Sequence, residues 1–270
     1  MTLINYKSQV ALITGASSGI GAEFARQLHL RGASVVLVAR RAKRLERLAS
    51  ELNAVRPNSA EILVADLSRI EEGNESFGIN RVVKYIETHR IDILVNNAGF
   101  GSFGTFYQLP LTREIDMLGV NVTAPTLLTH AALQQMIPRK SGSIIYVSSV
   151  AGIQPLPYMS TYAATKAYDL FHALGLYFEL KREGIRVLAV CPGPVETEFS
   201  RAANIPDGSR VDVRRDEVTD VVNESLQALE KERSLVFPCF RPKIFRFLCA
   251  LVPLTVRSWL VGSVLRPGRS

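Results

Sequence analysis

The sequence has few of the residues that build disulfide scaffolds and metal sites. Its 270 residues include only three cysteines and four histidines. Neither set has the spacing of zinc ligands or of a disulfide framework, which excludes a disulfide-stapled domain and a zinc enzyme as interpretations. A reducing compartment and no bound metal are therefore expected. The residues concerned are Cys191, Cys239, Cys249, His29, His89, His130 and His172.

Internal repeats and low-complexity linkers are also missing. With 47% apolar residues the chain can still bury one large core. Short apolar runs rich in branched residues alternate with segments of helical spacing, a pattern that predicts a doubly wound parallel sheet. The first run begins within about ten residues of Met1, which leaves no room for a secretory signal, so a cytoplasmic location is expected.

A glycine-rich turn follows the first predicted strand. The strand covers Val10 to Ile13, the turn from Thr14 to Gly21 reads TGASSGIG, and helical spacing begins at Ala22. Such a turn lets the backbone approach a pyrophosphate, which a helix N-terminus binds through unpaired N–H groups and its dipole. The spacing differs from G-x-G-x-x-G, so the turn alone is equally typical of an ordinary loop.

Basic residues end the second predicted strand, Ser34 to Val38. Arg40 lies about 20 residues after the last glycine of the turn, where an acid would bind the free ribose 2′-hydroxyl of NAD. A guanidinium suits a 2′-phosphate instead, with Arg41 assisting, so the sequence favours NADP(H). The alternative is that these arginines begin a solvated basic helix.

Two further predicted strands end in polar residues. Asp66 follows the strand Ile62 to Ala65, and the run Asn96 to Gly99 follows Asp92 to Val95. Ligands of open α/β sheets bind at the carboxyl ends of the strands, which makes Asp66 a candidate for contact with adenine and Asn96 to Gly99 for the ribose. The Asn-Asn-Ala-Gly run is also typical of a plain turn.

A serine and a tyrosine-lysine pair are the candidates for proton chemistry. Ser149 follows the predicted strand Ser143 to Val147, and Tyr162 and Lys166 are i and i+4 neighbours on a predicted helix. A nearby ammonium favours the phenolate of a tyrosine, whose ordinary pKa of about 10 makes it a weak acid. The pair could pass a proton to a carbonyl oxygen that Ser149 hydrogen-bonds. Taken singly, each residue is more typical of a structural role.

In this order the segments resemble the short-chain dehydrogenase/reductase family, over about residues 8 to 238. Asn121, in Gly-Val-Asn-Val, and the segment Pro192 to Thr197 extend the match. The resemblance implies one Rossmann-type α/β domain, residues 1–238, with a doubly wound parallel sheet and helices on both faces. Residues 239–270 then form an extension. The serine of this family precedes the tyrosine by 13 residues, which selects Ser149 rather than Ser148.

The resemblance also implies roles for individual residues. Asn121, Ser149, Tyr162 and Lys166 are the expected catalytic residues. Asn121 is expected to hold a water in a proton relay to Lys166, which also contacts the nicotinamide ribose. Thr197 and the backbone near Val195 are expected to hold the carboxamide. The residues expected to bind NADP(H) are Gly15, Ser17, Ser18, Gly19, Ile20, Gly21, Arg40, Arg41, Asp66, Leu67, Asn97, Ala98, Gly99, Tyr162, Lys166, Pro192, Gly193, Val195 and Thr197.

Together these roles predict an NADPH-dependent carbonyl reductase, or an alcohol dehydrogenase in the reverse direction. Hydride would pass between nicotinamide C4 and the carbonyl carbon, with Tyr162 as the proton donor. The substrate loop, Phe199 to Arg215 by resemblance, is polar and defines no pocket. A non-catalytic dinucleotide sensor or scaffold on the same fold stays open as a second class. Apolar residues that favour a lipophilic substrate, and that are equally typical of a core, are Phe100, Phe103, Phe106, Pro155, Leu156, Pro157, Tyr158 and Met159.

The C-terminal extension is basic and apolar. From Arg233 to Ser270 there are seven basic residues and no acidic one, which accounts for the whole net charge of +7. Basic residues and Pro253 interrupt its apolar stretches before they reach a membrane-spanning length. It is interpreted either as a peripheral segment on an anionic membrane surface or as a cap on the substrate pocket or a second subunit. Nucleic acid is not an expected partner, because aliphatic residues separate the cations.

A homodimer or homotetramer is expected from the same resemblance. Subunits of this family commonly pair through the helices that follow Gly104 and Tyr162. On the second of these helices, Leu170, Leu174, Tyr177 and Phe178 could supply an apolar face for that contact.

Overall fold

The computed structural model describes residues 4–69, 77–205 and 215–266. Within these ranges seven parallel strands form one sheet in the order β3-β2-β1-β4-β5-β6-β7. The expected doubly wound α/β fold is confirmed. The strands are β1 (Val10–Thr14), β2 (Ser34–Ala39), β3 (Ala60–Val64), β4 (Ile93–Asn96), β5 (Gly142–Val147), β6 (Ile185–Val190) and β7 (Leu235–Val236).

Helices cover both faces of this sheet, so the central strands are buried on both sides and consist of continuous apolar runs. Helices α1, α2 and α8 pack on one face, and α3, α5 and α6 pack on the other. The helices in the described ranges are α1 (Gly19–Leu30), α2 (Ala42–Val55), α3 (Ile79–Thr88), α4 (Leu111–Leu118), α5 (Ala124–Arg139), α6 (Ser160–Leu180), α7 (Phe199–Ala202), α8 (Val218–Glu230), α9 (Phe240–Leu251) and α10 (Leu254–Leu265).

The strand order reverses at β1, which pairs with β2 on one side and β4 on the other. In open α/β sheets the ligand crevice lies outside the carboxyl ends of the strands at such a point. The turn Thr14 to Gly21 leaves the end of β1, and Asn97 to Gly99 leave the end of β4. The next strand, β5, leads to Ser149. The fold therefore gathers the predicted motifs at one edge of the sheet.

A π-helical turn, Gly119–Thr123, joins α4 to α5 without breaking the helix. Gly119 permits this packing, because a Cβ atom there would lie 2.7 Å from the carbonyl oxygen of Ser68. Asn121, at the centre of the turn, is buried beside Phe100. Single π-turns within α-helices are frequent at functional sites.

The C-terminal extension folds as α9 and α10 and packs along the segment that connects Ser149 to Tyr162. Arg257 donates to the carbonyl of Ile153 at 3.1 Å, and Cys249 Sγ lies 3.5 Å from Gln154 Oε1. A Cβ atom at Gly262 would lie 3.1 Å from the ring of Pro157. In the described part of the chain, no helix combines the length and the apolar content that crossing a membrane would require.

Candidate active site

The glycine-rich turn forms a tight cradle at the N-terminus of α1. Gly15 and Gly19 have φ values of +68° and +54°, a conformation that favours glycine. At Gly21 a Cβ atom would lie 2.4 Å from Asn97 Nδ2 and 2.5 Å from the Gly15 carbonyl oxygen. The N-cap residue Ser18 makes no side-chain capping bond. The first N–H groups of α1 are thus placed as an anion site would need them.

Arg41 lies across the mouth of this cradle. Its guanidinium donates to Ser17 Oγ at 2.8 and 3.0 Å and to Ser18 Oγ at 2.7 Å. It also pairs with Glu198, as does Arg44, and these two hydrogen-bonding guanidinium groups lower the pKa of the Glu198 carboxyl to about 2. Arg40 is more exposed than Arg41, and its guanidinium lies 3.8 Å from the Asp66 carboxylate.

The residues after β4 are tied to the end of β1. Thr14 Oγ1 accepts the N–H groups of Asn97 and Ala98 at 2.9 and 3.0 Å, and Asn97 Nδ2 donates to the Thr14 carbonyl at 2.8 Å. Asn96 instead points into the core, where its amide donates to Thr129 Oγ1 at 2.9 Å. The side chain of Leu67 also packs in the core. The run after β4 is therefore a turn that joins two strand ends at the crevice.

The segment after β6 closes the cradle from the other side. A Cβ atom at Gly19 would lie 2.9 Å from the methyl group of Thr197. The Pro192 carbonyl accepts the N–H of Val150 at 3.0 Å. Helix α9 also reaches this segment, since a Cβ atom at Gly193 would lie 3.0 Å from the ring of Pro242. Val195 forms an isolated parallel bridge with Asp216. Of the expected substrate loop, residues 206–214 lie outside the described ranges.

Tyr162 and Lys166 occupy the same buried face of α6. Lys166 Nζ donates to the Val147 carbonyl at 2.8 Å and to Asp169 Oδ2 at 2.9 Å. A Cβ atom at Gly99 would lie 3.2 Å from Asn121 Oδ1 and 3.3 Å from Lys166 Nζ, so both groups border the turn after β4. The structure thus brings the predicted tyrosine, lysine and asparagine to one place.

Hydrogen bonds hold the side chains of Ser149 and Asn121 in place. Ser149 Oγ accepts the N–H of Ala151 at 3.1 Å. Asn121 Nδ2 donates to the Phe100 carbonyl and to Thr165 Oγ1, both at 3.0 Å, while its Oδ1 accepts the Phe100 N–H at 3.2 Å. Thr165 in turn donates to the Tyr162 carbonyl at 2.8 Å. The side chain of Asn121 therefore links the turn after β4 to the helix that carries Tyr162.

The electrostatic surroundings set the protonation states of this group. Burial raises the pKa of the Tyr162 phenol, while the Lys166 ammonium and the Ser149 hydroxyl act in the opposite direction. Burial alone would lower the pKa of the Lys166 amine, but the Asp169 carboxylate reverses this and holds that pKa above its ordinary value. At neutral pH the site thus presents a phenol that can donate a proton beside a charged ammonium.

Apolar side chains pack around Tyr162. The phenol ring packs against Phe199 with a centroid separation of 5.1 Å. Of the residues expected to flank a lipophilic cleft, Met159 is buried, while Phe106 and Pro155 are exposed. The full cluster consists of Met117, Ala151, Met159 and Tyr162, with Phe100, Phe103, Leu156, Phe199 and Ile205 packed against it.

Several residues at this site were not predicted from the sequence. Thr165 bonds to Asn121, Arg44 and Glu198 form an ion pair beside the cradle, and Asp169 pairs with Lys166. Only Asp169 had a local signal, because it lies three residues after Lys166 and a helix places such residues side by side. The described residues contain no cluster of three or more ligands that could hold a metal ion.

The chain is similar in sequence to a known protein family and to members of that family. A family model described as short chain dehydrogenase matches residues 9–207. The dehydrogenase/reductase SDR family member 7B of Danio rerio is 31% identical over 263 residues, which covers 92% of this chain and 83% of that protein.

Two solved structures are also similar over nearly the whole chain. The first is a short-chain dehydrogenase from Sphingobium yanoikuyae in complex with NADPH, with 33% identity and a TM-score of 0.80 over 97% of this chain and 98% of that one. The second is a bulky-bulky ketone specific alcohol dehydrogenase from Comamonas testosteroni, with 30% identity and a TM-score of 0.76 over 97% and 96% of the two chains.

Proposed function

The chain belongs to the short-chain dehydrogenase/reductase family and is an NAD(P)-dependent oxidoreductase, and we propose that it reduces a bulky, lipophilic ketone with NADPH. The observation that carries this proposal is the position of Tyr162 between Lys166 and an apolar cluster at the carboxyl edge of the sheet. The reverse reaction would be the oxidation of the corresponding alcohol.

Each catalytic side chain has a distinct task in this mechanism. When bound, the nicotinamide supplies hydride to the carbonyl carbon. Tyr162 donates its phenolic proton to the carbonyl oxygen, and the Ser149 hydroxyl hydrogen-bonds that oxygen as negative charge develops. The ammonium of Lys166 favours the phenolate that remains. Asn121 fixes the turn after β4 relative to α6 and is proposed to hold a water of the relay.

The cradle at α1 fits a dinucleotide phosphate. Gly15 and Gly21 let the turn pack tightly against Asn97, because a Cβ atom at either position would lie within 2.7 Å of Asn97 Nδ2, and the N-terminus of α1 has no side-chain cap. At the end of β2, Arg40 and Arg41 supply cations where an acid would select NAD. The NADPH in the Sphingobium yanoikuyae structure supports the same preference. Together with these residues, the backbone of Gly193 and Val195 and the side chain of Thr197 are proposed to hold the nicotinamide end.

The apolar cluster around Tyr162 supports a bulky substrate. Phe100, Phe103, Leu156 and Phe199 are partly exposed, so they can line a cleft beside the phenol as well as pack on it. The name of the Comamonas testosteroni enzyme specifies bulky ketones, which agrees with this interpretation. A non-catalytic sensor is less well supported, because a sensor has no need of Ser149 and Tyr162 together.

Turnover with ketones of graded size tests the proposal. Oxidation of NADPH should be faster with ketones that carry two large apolar substituents than with acetone or small sugars. Tyr162→Phe keeps the ring but removes the proton donor, so turnover should fall by about 10² to 10⁴-fold. Tyr107→Phe, at an exposed tyrosine, is the matched control and should be as active as the wild type. An equally active Tyr162→Phe variant would contradict the mechanism.

We further propose that the outer face of α9 binds an anionic membrane surface. Phe240, Ile244, Phe247, Leu248 and Leu251 recur every three or four residues and form one stripe. Their side chains are 43–74% exposed, and the stripe lies opposite the buried Pro242 and Cys249. Arg241 flanks the stripe on one side and Lys243 flanks it on the other, as in an interfacial helix.

The inner face of the extension supports the cap interpretation at the same time. Lys243 pairs with Glu224 at 2.8 Å, and the Arg246 guanidinium lies 5.2 Å from the ring centroid of Phe237. Some of the positive charge is therefore engaged by the domain itself. Apolar burial, more than charge, is then expected to provide most of the membrane affinity.

A homodimer or homotetramer is proposed through α4 and α6, with a correction to the expected face of α6. Leu170 is buried in the core and is not available to a partner subunit, whereas Leu174 and Tyr177 pack against that core and are only partly exposed. The reason is that α6 carries two apolar stripes. One of them packs against the sheet, and the other faces outward. The outward apolar residues are Phe171 and Phe178, which are 71% and 74% exposed.

A further inference from the structure

The ion pair between Lys166 and Asp169 is unusual in its burial. Both side chains are only 6% exposed, and Asp169 Oδ2 lies 2.9 Å from Lys166 Nζ. A lysine ammonium has three N–H donors. Val147 and Asp169 accept two of them, which leaves one that can face the site.

Stability does not explain such a pair. Removing two charges from water costs several kcal/mol per ion, and well-packed apolar residues in the same place are often equally stable or more so. Because the partner of Asp169 is the lysine beside the proton donor, a role in the reaction is the better explanation.

The other groups that face the pair are uncharged in the working range of pH. They are Tyr162 on α6 itself, Tyr146 of β5, and Cys191, which follows β6. Burial raises the pKa of the Tyr146 phenol and raises the pKa of the Cys191 thiol to about 12. Asp169 also borders a cavity of about 10 Å³, whose other lining side chains carry no charge. Among the described residues, the charge of Lys166 is therefore balanced by Asp169 alone.

We propose that Asp169 is a positioning residue for carbonyl reduction: it holds Lys166 as an ammonium in a fixed orientation and directs its remaining N–H toward the reacting centre. This inference rests on the proposed reductase function. It assigns to α6 a third functional residue, one turn after the lysine, that touches neither substrate nor cofactor.

The proposal predicts a pH profile with a definite sign. Reduction needs a protonated Tyr162 and a charged Lys166. Without the Asp169 carboxylate, the largest influence that raises the pKa of the Lys166 amine is lost, so burial moves that pKa downward. The same change removes a negative charge that raises the pKa of the Tyr162 phenol. Both effects move the alkaline limb of the reduction profile to lower pH.

The decisive variant is Asp169→Asn, which keeps the shape and removes the charge. The alkaline limb of kcat should move down by about one pH unit or more, which is the usual effect of an adjacent opposite charge. KM for the ketone should stay within about threefold of the wild type, because Asp169 does not contact the substrate. Asp169→Glu keeps the charge and should keep the limb near its wild-type position.

Asp92→Asn is the matched control. Asp92 is also a buried carboxylate in an ion pair, with Arg90 at 2.9 Å, but it lies beside the start of β4, at the opposite end of the sheet. It should lower the melting temperature without moving the alkaline limb. If Asp169→Asn behaves like Asp92→Asn, with lower stability and an unmoved limb, the positioning role is refuted.

A measurement without turnover separates this proposal from the proposed function. The pKa of Lys166 can be followed by NMR of the lysine side-chain nitrogens, with the signal assigned through Lys166→Met. It should be lower in Asp169→Asn than in the wild type. Inactivity of the wild type toward every ketone would refute the reductase function, whereas an unchanged Lys166 pKa would refute the role of Asp169.

Discussion

Arg40 and Arg41 hold different positions toward the site where a 2′-phosphate would bind. Arg41 already contacts Ser17 and Ser18 of the cradle, and its pairing with Glu198 is open to exchange because all of these side chains are near solvent. Arg40 is 63% exposed, and within the described ranges its guanidinium has one long contact, with Asp66 at 3.8 Å. Both guanidinium groups can therefore reorient toward a phosphate at little cost.

The cofactor preference should depend on both arginines. Arg41→Ala and Arg40→Ala should each weaken the binding of NADPH by about 10-fold or more, since a charge-assisted hydrogen bond contributes roughly 1.5–3 kcal/mol. NADH lacks the phosphate, so its affinity should change little. Arg47→Ala, further along the exposed side of α2, is the control. Titration of both cofactors checks this prediction. If the affinities for NADPH and NADH fell equally, the arginines would have no role in selecting the 2′-phosphate and would simply belong to a solvated helix face.

Local spacing explains which site residues could be predicted from the sequence. Tyr162 and Lys166 are one turn apart on a helix, and Ser149 follows a strand, so short patterns made them candidates, and the family resemblance supplied their expected roles. The bond from Asn97 to Thr14 joins residues 83 positions apart, and the bond from Arg41 to Glu198 joins residues 157 apart. No short pattern signals such contacts. The burial of Asp169 could not be predicted from the sequence either, because a charged residue on a helix usually faces solvent.

Among the elements, the strands were the most predictable and the extension the least. The apolar runs predicted β1, β2 and β5 to within a residue or two of their observed ends. A strand that is buried on both faces consists almost entirely of apolar residues, so its ends are easy to recognise in the sequence. The extension has apolar residues on two faces of α9. Its pattern therefore could not separate a cap from an interfacial helix, and the packed structure assigns one face to the domain and leaves the other exposed.

The outer stripe of α9 should govern membrane binding. Replacing Phe247 and Leu251 together by Glu removes two apolar side chains and adds two negative charges. Burying one such side chain contributes about 1.5–3 kcal/mol, so affinity for phosphatidylglycerol vesicles should fall by at least about 100-fold. Both residues are more than half exposed, so the melting temperature should hardly change. Co-sedimentation at low and high salt measures the effect.

Leu30→Glu is the control for that experiment. Leu30 is an exposed apolar residue at the end of α1, outside the extension, and its replacement should leave vesicle binding intact. Wild-type protein that stays in solution with anionic vesicles at low salt would eliminate the membrane proposal. The exposed stripe would then be assigned to a partner protein or a second copy of the chain.

At the scale of the whole molecule, one outward face of α6 carries exposed apolar residues that would suit contact with another helix. Phe171 and Phe178 are seven residues apart and thus lie on the same side, with Gly175 between them. Among the described residues, a Cβ atom at Gly175 would come within 4 Å of Glu179 Oε1 alone, at 3.9 Å, so the surface between the two rings is open. Leu111 and Ile115, on α4, are also exposed. A second helix could pack closely on such a surface.

The assembly should therefore be sensitive to single charges on α6. In a twofold interface the same patch occurs on both subunits, so Phe171→Glu or Phe178→Glu places two charges in the contact and removes two rings. Each variant should shift the protein from dimer or tetramer toward monomer in light scattering at micromolar concentration. Both rings are mostly exposed in the single chain, so the variant subunit should remain folded and retain its circular dichroism spectrum. Tyr107→Phe, which keeps an exposed aromatic ring, should leave the assembly unchanged. A wild-type protein that is monomeric in the same measurement would show that α6 keeps this apolar face uncovered, and the interface assignment would fail.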